Sequence, residues 1–348
     1  MYENIFNQIR KEYEQKQKIA RENLIKKKQE LAEKLPEIIE IEDKIHTSGL
    51  TYSKLILAGK NSSDAEVLSL FSEIENLKER KKNLLLSNGY PANYLEPEYS
   101  CQICKDTGFI NNKGYTEKCS CYKQQVINYL YHQSNMDLVK TENFNNFNEN
   151  YYPDVVDEDR YGIKISPREN IIKIKNRCLK FLRNFDKPEE KNLFFSGPTG
   201  VGKTFMASCI AKELLDRGKT VLYQTSPVLF NIINEYKYNF SKDEYYSDVG
   251  YRNIFEVELL IIDDLGIEPP TPARYAELLT ILNIRQINNL TRPCKTIIST
   301  NIGPKQLYEY YTERVASRII GNFDMLKFAG EDIRLLKRQE RQGDGSSV

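Results

Sequence analysis

The chain has 348 residues, of which 28% are charged and 40% are hydrophobic, and its 50 Lys and Arg nearly balance its 49 Asp and Glu. This length allows about two domains, and a net charge of +1 excludes a general attraction to nucleic acid, so DNA binding would need local patches of Lys and Arg. No apolar run approaches the roughly 20 residues of a membrane span, and residues 1–10 lack a signal-peptide pattern, which together predict a cytoplasmic protein that binds no membrane.

Residues 1–95 are rich in Glu, Lys, Gln and Leu, and they predict a helical hairpin that resembles a coiled coil. Apolar residues before Pro36 recur at helical spacing, and this proline is expected to end or kink the first helix. Ser48-Gly49 indicates a break, and Ser63-Asp-Ala-Glu66 resembles a capping box that opens a helix reaching about Leu86. A solvated structural hairpin and a partner-docking region both fit this composition.

Four of the seven cysteines lie close together in residues 96–135. They are Cys101, Cys104, Cys119 and Cys121. A C-x₂-C pair presents two thiolates at a spacing that suits tetrahedral Zn²⁺, and a hairpin turn at residues 111–114 would bring the C-x-C pair beside it. We therefore predict a structural Zn²⁺ site with four cysteine ligands, in a module too small to fold on its own core. Two alternatives stay open: an unmetallated loop with incidental thiols, and His132 as a ligand in place of one cysteine.

The next segment, residues 136–166, predicts a linker with little periodicity. Its Phe144 and Phe147 either pack the linker onto the following domain or pass over the adenine of a nucleotide. Ser166 is the predicted N-cap of a helix, because a proline and a glutamate follow it at the favoured positions.

Residues 167–340 are predicted to form an α/β domain with a parallel sheet, since strands and helical segments alternate. The predicted strands are Asn192–Ser196, Thr220–Thr225, Val257–Ile262 and Lys295–Thr300. The third strand is apolar enough to lie in the centre of such a sheet. Residues 341–348 are expected to form a disordered tail.

A complete Walker A motif lies between the first strand of this domain and the helix that follows. It consists of Gly197, Pro198, Thr199, Gly200, Val201, Gly202, Lys203 and Thr204. The backbone N–H groups of such a loop curl around phosphates, and the helix N-terminus favours their negative charge. We expect Lys203 to reach the β- and γ-phosphates of ATP, and the Thr204 hydroxyl to ligate Mg²⁺.

Two acidic residues, Asp263 and Asp264, follow the third strand as a Walker B element. Asp263 is predicted to hold Mg²⁺, and Asp264 is predicted to polarise the attacking water. Because aspartate is one methylene shorter than glutamate, its reach to the water is reduced, and hydrolysis is expected to be slow or to need a partner. Asn301, after the fourth strand, fits a sensor 1 residue that orients this water; an asparagine that merely begins a turn is the alternative.

These segments together resemble the DnaC/DnaI family of bacterial replicative helicase loaders, with the IstB transposition ATPases as relatives. The matching segments are Gly197–Thr204, Ile261–Gly266, Ser299–Asn301, Glu313–Arg318 and Gly330–Arg334. The resemblance extends over about residues 100–340 and includes Glu142–Phe147 as a lead-in to the ATPase domain. It implies an AAA+ P-loop ATPase fold.

The resemblance also implies roles for three arginines. Arg318, with Arg314 as second choice, would act as an arginine finger in the ATP site of a neighbouring subunit, where a guanidinium group stabilises the transferring phosphoryl oxygens. Self-association of the chain would follow from that role. Arg334 would act in its own subunit as sensor 2. Because Arg314 and Arg318 lie on one helical face, a solvated basic face is the alternative.

Members of this family use a small N-terminal domain, often zinc-bearing, to bind the replicative hexameric helicase, and they bind single-stranded DNA. The resemblance therefore implies an ATP-dependent helicase loader that docks through its helical region, its zinc module or both. ATP binding and hydrolysis would control loading and release on single-stranded DNA. An IstB-like ATPase that assists a transposase in target selection is the alternative, and a stand-alone DNA translocase is a third. Tyr236 and Lys237 are candidate DNA contacts, with packing inside the domain as the alternative interpretation.

Overall fold

The computed structural model describes residues 3–61, 64–112, 114–130, 139, 141–238, 244–268 and 271–343. The chain divides into two compact units, one of Asn7–Cys119 and one of Ser120–Val348 with Met1–Phe6. Within the described ranges, none of the helices combines the length and hydropathy that a bilayer crossing requires. His132, the alternative zinc ligand, lies outside the described residues.

Three long helices contribute to the described part of the first unit, which includes α1 from Asn7 onward. They are α1 (Glu3–Lys34), α2 (Pro36–Leu57) and α3 (Ala65–Ser87). Helix α1 ends at Lys34, which confirms the prediction that Pro36 ends the first helix. Leu35 is the N-cap of α2, and Pro36 is the first residue of that helix. The N–H that proline lacks would have no partner inside the helix at this position. The predicted break at Ser48-Gly49 is wrong, because α2 continues to Leu57. A glycine inside a helix costs only about 1 kcal/mol, and the packing of α2 on α3 outweighs that cost.

Side chains from all three helices hold this region together. One buried cluster consists of Leu31, Ile38, Leu85 and Leu95. The carboxylate of Glu42 on α2 lies 2.5 Å from Lys28 of α1 and 2.6 Å from Lys81 of α3. The predicted helical region is therefore present with three helices rather than two. Ser63, to which the capping box was assigned, lies outside the described residues.

The cysteine-bearing segment contains the predicted hairpin. Strands β1 (Phe109–Asn112) and β2 (Tyr115–Lys118) pair antiparallel, with Asn112 opposite Tyr115. Gly114 in the two-residue connection has a φ of 88°, the left-handed conformation that short hairpin turns require. The hairpin places the residues after β2 next to those before β1.

A five-stranded parallel sheet forms the centre of the second unit. Its strands are β3 (Asn192–Ser196), β4 (Val221–Thr225), β5 (Leu259–Leu265), β6 (Lys295–Thr300) and β7 (Phe323–Lys327), in the spatial order β4-β5-β6-β3-β7. The predicted parallel α/β sheet is thus confirmed. Strand β5 starts and ends later than predicted, since Leu265 still pairs with Thr300 across an irregularity in the ladder.

Strand β7 was not predicted from the sequence. It follows the preceding helix directly at Phe323, without an intervening turn residue. Its five residues include Asp324 and Lys327, which weaken the apolar pattern on which strand prediction depends. As an edge strand that pairs on one side with β3, it tolerates these polar residues.

Helices cover both faces of this sheet. They are α4 (Ser120–Leu130), α5 (Glu158–Tyr161), α6 (Pro167–Arg183), α7 (Lys203–Asp216), α8 (Ser226–Tyr238), α9 (Glu244–Glu256), α10 (Pro272–Asn288), α11 (Leu307–Tyr310), α12 (Glu313–Asn322) and α13 (Ile333–Gly343). Leu193 and Phe195 of β3 pack against α6 and α7, whereas Phe194 between them packs on the opposite face, with α8, α10 and α12. The Ser166 side chain accepts a hydrogen bond from the Glu169 N–H at 3.1 Å, which confirms the predicted start of α6.

The strand order positions the functional loops. Strand β3 lies beside β6, whereas the next strand in the chain, β4, lies at the far edge beyond β5. A crevice opens at the carboxyl ends of parallel strands where successive connections diverge in this way. The Walker A loop follows β3, the two aspartates end β5, and Asn301 follows β6, so the topology gathers all three at this crevice.

Candidate functional site

The Walker A loop curls tightly between β3 and α7. Gly197 has a φ of 145° and Gly202 a φ of 92°, and side chains at these positions would collide with the Phe328 carbonyl and the Tyr152 hydroxyl respectively. Only glycine combines such angles with such close neighbours. The first N–H groups of α7 have no acceptor within the helix, as at any helix N-terminus, and can bind an anion.

The amine of Lys203 is held by its own loop and by the neighbouring strand end. Its Nζ donates hydrogen bonds to the carbonyl oxygens of Gly197 at 2.8 Å and Pro198 at 2.7 Å, and to Asn301 Oδ1 at 2.8 Å. Burial lowers the pKa of Lys203 to about 8, although Asp264 and Asp263 oppose this effect. Phosphate oxygens could replace these acceptors and would stabilise the charged form of the amine.

The two groups predicted to hold Mg²⁺ are in direct contact. Thr204 Oγ1 donates a hydrogen bond to Asp263 Oδ2 at 3.1 Å, and the backbone N–H of Asp264 donates to Asp263 Oδ1 at 3.0 Å. The hydroxyl of Tyr223 also donates to Asp263 Oδ2, at 2.9 Å. Hydroxyl and carboxylate oxygens are the ligands and water-binding groups that Mg²⁺ prefers, so this donor set fits the ion.

Asp264 occupies a constrained position beside them. Its φ is 54°, a left-handed conformation that aspartate adopts more readily than most residues. Burial and the negative charge of Asp263 raise the pKa of the Asp264 carboxyl, while Lys203 and Arg334 act in the opposite direction. A carboxyl in such surroundings is suited to accept or share a proton.

A buried glutamate fixes the backbone after Asp264. Glu268 Oε2 accepts hydrogen bonds from the Ser226 hydroxyl at 2.5 Å and the Gly266 N–H at 2.8 Å. Its Oε1 accepts one from the Tyr311 hydroxyl at 2.6 Å, and the Ser226 hydroxyl also lies 3.0 Å from the Asp264 carbonyl oxygen, its alternative acceptor. This network joins the aspartate loop to α8 and to the segment that leads into α12.

A cavity of about 450 Å³ adjoins the Walker A loop. Its lining includes Thr199, Gly200, Gly202, Lys203, Thr204, Asp264, Asn301 and Arg334 from the predicted site, together with Glu142, Phe147, Tyr151, Tyr152 and Lys337. Phe147 thus lies in the cavity wall, and both Phe147 and Phe144 also pack against the adjoining core.

The predicted finger residues lie elsewhere. Arg314 and Arg318 are exposed on α12, and neither lines the cavity, whereas Arg334 at the start of α13 does. The candidate DNA contacts make contacts inside the domain. The Tyr236 ring stacks on Tyr251 with centroids 4.1 Å apart, and Lys237 pairs with Glu277, as the packing interpretation expected.

Sequence analysis missed several residues of the site. Tyr223 and Glu268 escaped notice because neither belongs to a nucleotide-binding motif. Polar side chains inside a buried strand, Tyr223 and Gln224, were the available signal for Tyr223. Tyr152, whose buried hydroxyl donates to the Val201 carbonyl at 3.1 Å, lay in a segment without periodicity.

The four clustered cysteines form a separate candidate metal centre. Their Sγ atoms all lie within 4.8 Å of one another, and those of Cys101 and Cys119 are 3.9 Å apart. Tetrahedral Zn²⁺ with Zn–S bonds of about 2.3 Å sets its ligands about 3.8 Å apart. The buried carboxylate of Asp106 accepts the Cys101 N–H at 2.8 Å, and the Gly108 N–H points at Cys104 Sγ at 3.3 Å. The donor set therefore fits Zn²⁺.

Comparison with known proteins places this site in a family. Residues 169–340 match the family model described as IstB-like ATP binding protein. The putative insertion sequence ATP-binding protein y4pL of Sinorhizobium fredii is 29% identical over 154 residues, which cover 43% of this chain and 59% of that protein. The replicative helicase loader DnaC of Escherichia coli K12 is 30% identical over 165 residues, which cover 47% of this chain and 63% of that protein.

Solved structures of similar proteins include a DnaI and a DnaC helicase loader. The DnaI structure has a TM-score of 0.42 and 22% identity, covering 56% of this chain and 92% of that one. The DnaC structure has a TM-score of 0.38 and 25% identity, covering 47% and 90%. The chain spans less than two thirds of the curated relatives' own length. Residues 169–340 therefore carry an IstB-like ATP binding domain with the AAA+ P-loop fold, and this domain is also similar in sequence to the helicase loader DnaC.

Proposed function

We propose that this protein is an ATP-dependent loader of the replicative DNA helicase, in which ATP binding and hydrolysis control loading and release on single-stranded DNA. The observation that carries the proposal is the meeting of Lys203 with Asn301 and of Thr204 with Asp263 at one cavity. These are the parts of an ATP-dependent switch. The similarity to DnaC, a replicative helicase loader, supports the helicase as the partner that the switch controls.

The nucleotide site supports specific roles. Lys203 and the loop N–H groups bind the phosphates, and Thr204 and Asp263 hold Mg²⁺, which neutralises phosphate charge when bound. Asp264 polarises the attacking water, consistent with the raised pKa of its carboxyl. Asn301 orients the same water. The match of residues 169–340 to a family of ATP binding proteins supports ATPase activity, and the short reach of Asp264 favours slow or partner-stimulated hydrolysis.

In this proposal, Arg334 acts on the ATP of its own subunit, whereas Arg318 or Arg314 acts on the ATP of a neighbouring subunit. Arg334 lines its own cavity, where its charge acts on Lys203 and Asp264, which supports a sensor 2 role in cis. Arg318 and Arg314 are exposed on α12, where a neighbouring copy could receive them. Self-association through Arg318 would then complete the site of the neighbour.

The N-terminal part supplies the docking region. We propose that residues 1–95, the module of residues 96–135, or both bind the hexameric helicase. The compact first unit, with its own buried cluster, supports a separate docking role. The four-cysteine donor set supports structural Zn²⁺, since four protein ligands leave no open position for catalysis.

An IstB-like function in target selection by a transposase is the second candidate. It is favoured by the description of the matching family and by the similarity to y4pL, an insertion sequence ATP-binding protein. Under that function, the same ATP switch would control a transposase rather than a helicase.

Native mass spectrometry of the full chain with the host's replicative helicase tests the proposal. We expect a complex with wild type whose population changes on addition of ATP, and a complex with Lys203→Ala that ATP leaves unchanged. Lys212→Ala is the matched control, because Lys212 lies on the same helix but pairs with Asp216 at its surface. If the chain bound a transposase and formed no complex with the helicase, this result would overturn the loader function in favour of the second candidate.

A further inference from the structure

The aspartate loop, residues 264–268, has one side in the nucleotide cavity and the other in the interior of the domain. Asp264 and Ile267 line the cavity, whereas Glu268 is buried and does not line it. Asp264 and Glu268 belong to one short loop, so a shift of Asp264 on binding of phosphate or Mg²⁺ is carried to Glu268. The loop therefore connects the cavity with the interior.

The carboxylate of Glu268 joins three segments of the domain. Its Oε2 atom accepts hydrogen bonds from the Gly266 N–H of its own loop and from the Ser226 hydroxyl of α8. Its Oε1 atom accepts the Tyr311 hydroxyl at 2.6 Å. Burial and the hydrogen bond to Glu268 raise the pKa of Tyr311, so this hydroxyl stays protonated and acts as the donor. Hydrogen bonds to a carboxylate are short and strong, so Tyr311 follows movements of Glu268.

The buried hydroxyl of Ser226 makes this network sensitive to the position of Asp264. The Ser226 Oγ atom lies 2.5 Å from Glu268 Oε2 and 3.0 Å from the Asp264 carbonyl oxygen. A hydroxyl has one proton to donate, so a movement of the Asp264 carbonyl changes which of the two acceptors receives it. The network thus has two discrete hydrogen-bonding arrangements, the physical requirement for coupling between sites.

Tyr311 leads directly into α12. The residue after it, Thr312, is the N-cap of that helix. The ring of Tyr311 packs edge-on against Tyr275, with centroids 5.5 Å apart, so both its hydroxyl and its ring are held by neighbours. The exposed Arg314 and Arg318 lie on the helix that begins here, and a shift of Tyr311 displaces the end of α12 next to Arg314.

We infer that Glu268 is a positioning residue, which transmits the state of the aspartate loop to the start of α12. Nucleotide that moves Asp264 changes the acceptor of Ser226, shifts Glu268 and moves Tyr311 with it. This inference rests on the proposed function and adds a regulation to it, because α12 bears the arginines proposed to act on the ATP of a neighbouring subunit. Occupancy of one site then sets how the same subunit presents Arg318 to the next.

Hydrogen–deuterium exchange of the full chain, with and without the β,γ-methylene analogue of ATP and Mg²⁺, tests the inference. In wild type, nucleotide should protect the Walker A loop and change the exchange rates of residues 311–322 by at least about threefold. Tyr311→Phe removes the hydroxyl and keeps the ring, and Ser226→Ala removes the contact with the Asp264 carbonyl. Both variants should keep the protection of the Walker A loop and lose most of the change in residues 311–322.

The matched control is Tyr310→Phe, which makes the same change at the neighbouring, exposed tyrosine and should respond as wild type does. A network that only stabilises the fold would alter exchange of α12 equally with and without nucleotide. If Tyr311→Phe and Ser226→Ala kept the full nucleotide-induced change, or if wild type protected the Walker A loop with no change in α12, the role of Glu268 would be overturned. Protection of neither region in wild type would instead refute the proposed nucleotide site.

Discussion

The Nζ atom of Lys203 lies 2.8 Å from the Oδ1 atom of Asn301, so the lysine proposed to bind phosphate and the asparagine proposed to orient water are hydrogen-bonded to each other. The two residues come from the ends of adjacent strands, β3 and β6. Bound phosphate would compete with Asn301 for the lysine and would release the asparagine amide toward the attacking water. A single contact thus links occupancy of the site to its catalytic geometry.

Asn301→Ala should therefore separate binding from hydrolysis. We expect ADP affinity within about threefold of wild type and an ATPase rate at least about tenfold lower, since a lost orienting group acts mainly on the transition state. Asn301→Asp should weaken ADP binding further, because a carboxylate holds the ammonium and repels phosphate. Calorimetry and phosphate release measure the two effects. A loss of ADP binding by Asn301→Ala as large as that of Lys203→Ala would contradict this assignment.

Nucleotide affinity should fall at alkaline pH. Burial lowers the pKa of Lys203 to about 8, so the free protein loses this proton as the pH rises through 8. Phosphates bind the charged form, and affinity for ADP should decline by up to about tenfold per pH unit above that value. Titrations between pH 7 and pH 9.5 check the profile. Lys203→Arg stays charged over this pH range, so its affinity for ADP should depend little on pH. If the ADP affinity fell equally with pH in the wild type and in Lys203→Arg, a group other than Lys203 would cause the pH dependence.

Tyr223 should tune the response to Mg²⁺. Its hydroxyl shares Asp263 Oδ2 with Thr204 and is fully buried, so it fixes the carboxylate that is proposed to hold the ion. Tyr223→Phe removes that hydrogen bond and keeps the ring in the core. We expect a severalfold increase in the Mg²⁺ concentration that half-saturates ATP hydrolysis, with unchanged ADP affinity in EDTA. Tyr251→Phe, remote from Asp263, serves as the control, and an identical Mg²⁺ dependence in all three proteins would refute the role.

The residues of the nucleotide-binding motifs could be predicted from the sequence, whereas the residues that hold those motifs in place could not. The Walker A loop, Asp263 and Asn301 were placed correctly at strand ends, because strand–loop–helix patterning is a local property. Tyr223 and Glu268 were not identified, because their roles depend on partners distant in the chain. The break assigned to Ser48-Gly49 was wrong for the same reason, since packing against another helix decides whether a glycine interrupts a helix.

The cysteine cluster should bind one Zn²⁺ per chain. We expect Cys104→Ser to lose bound zinc, because Cys104 is a buried member of the cluster and a three-thiolate site is weaker. Metal analysis of protein purified without chelator measures the content. Cys294→Ala is the control, since that cysteine lies outside the cluster and its thiol donates to the backbone carbonyls of Phe255 and Val257. If the purified wild-type protein contained less than one zinc ion per chain, the predicted zinc site would be wrong and the four thiols would be an unmetallated cluster.

Mixing experiments should distinguish the arginine that acts in its own subunit from the one that acts in a neighbour. Arg318→Ala retains an intact nucleotide site but lacks the finger, whereas Lys203→Ala retains the finger but lacks phosphate binding. Each alone should hydrolyse ATP at least about tenfold more slowly than wild type.

Equal mixtures of Arg318→Ala and Lys203→Ala should recover part of the ATPase rate, because one protein supplies the arginine to the site of the other. Arg334→Ala mixed with Lys203→Ala should recover nothing, since Arg334 lines the cavity of its own chain. Arg314→Ala tests the second choice in the same way. If only the Arg314→Ala mixture gained activity, the finger would move one helical turn along α12; if neither mixture gained activity, the exposed arginines of α12 would form a solvated face, and the ATPase site would be complete within one chain.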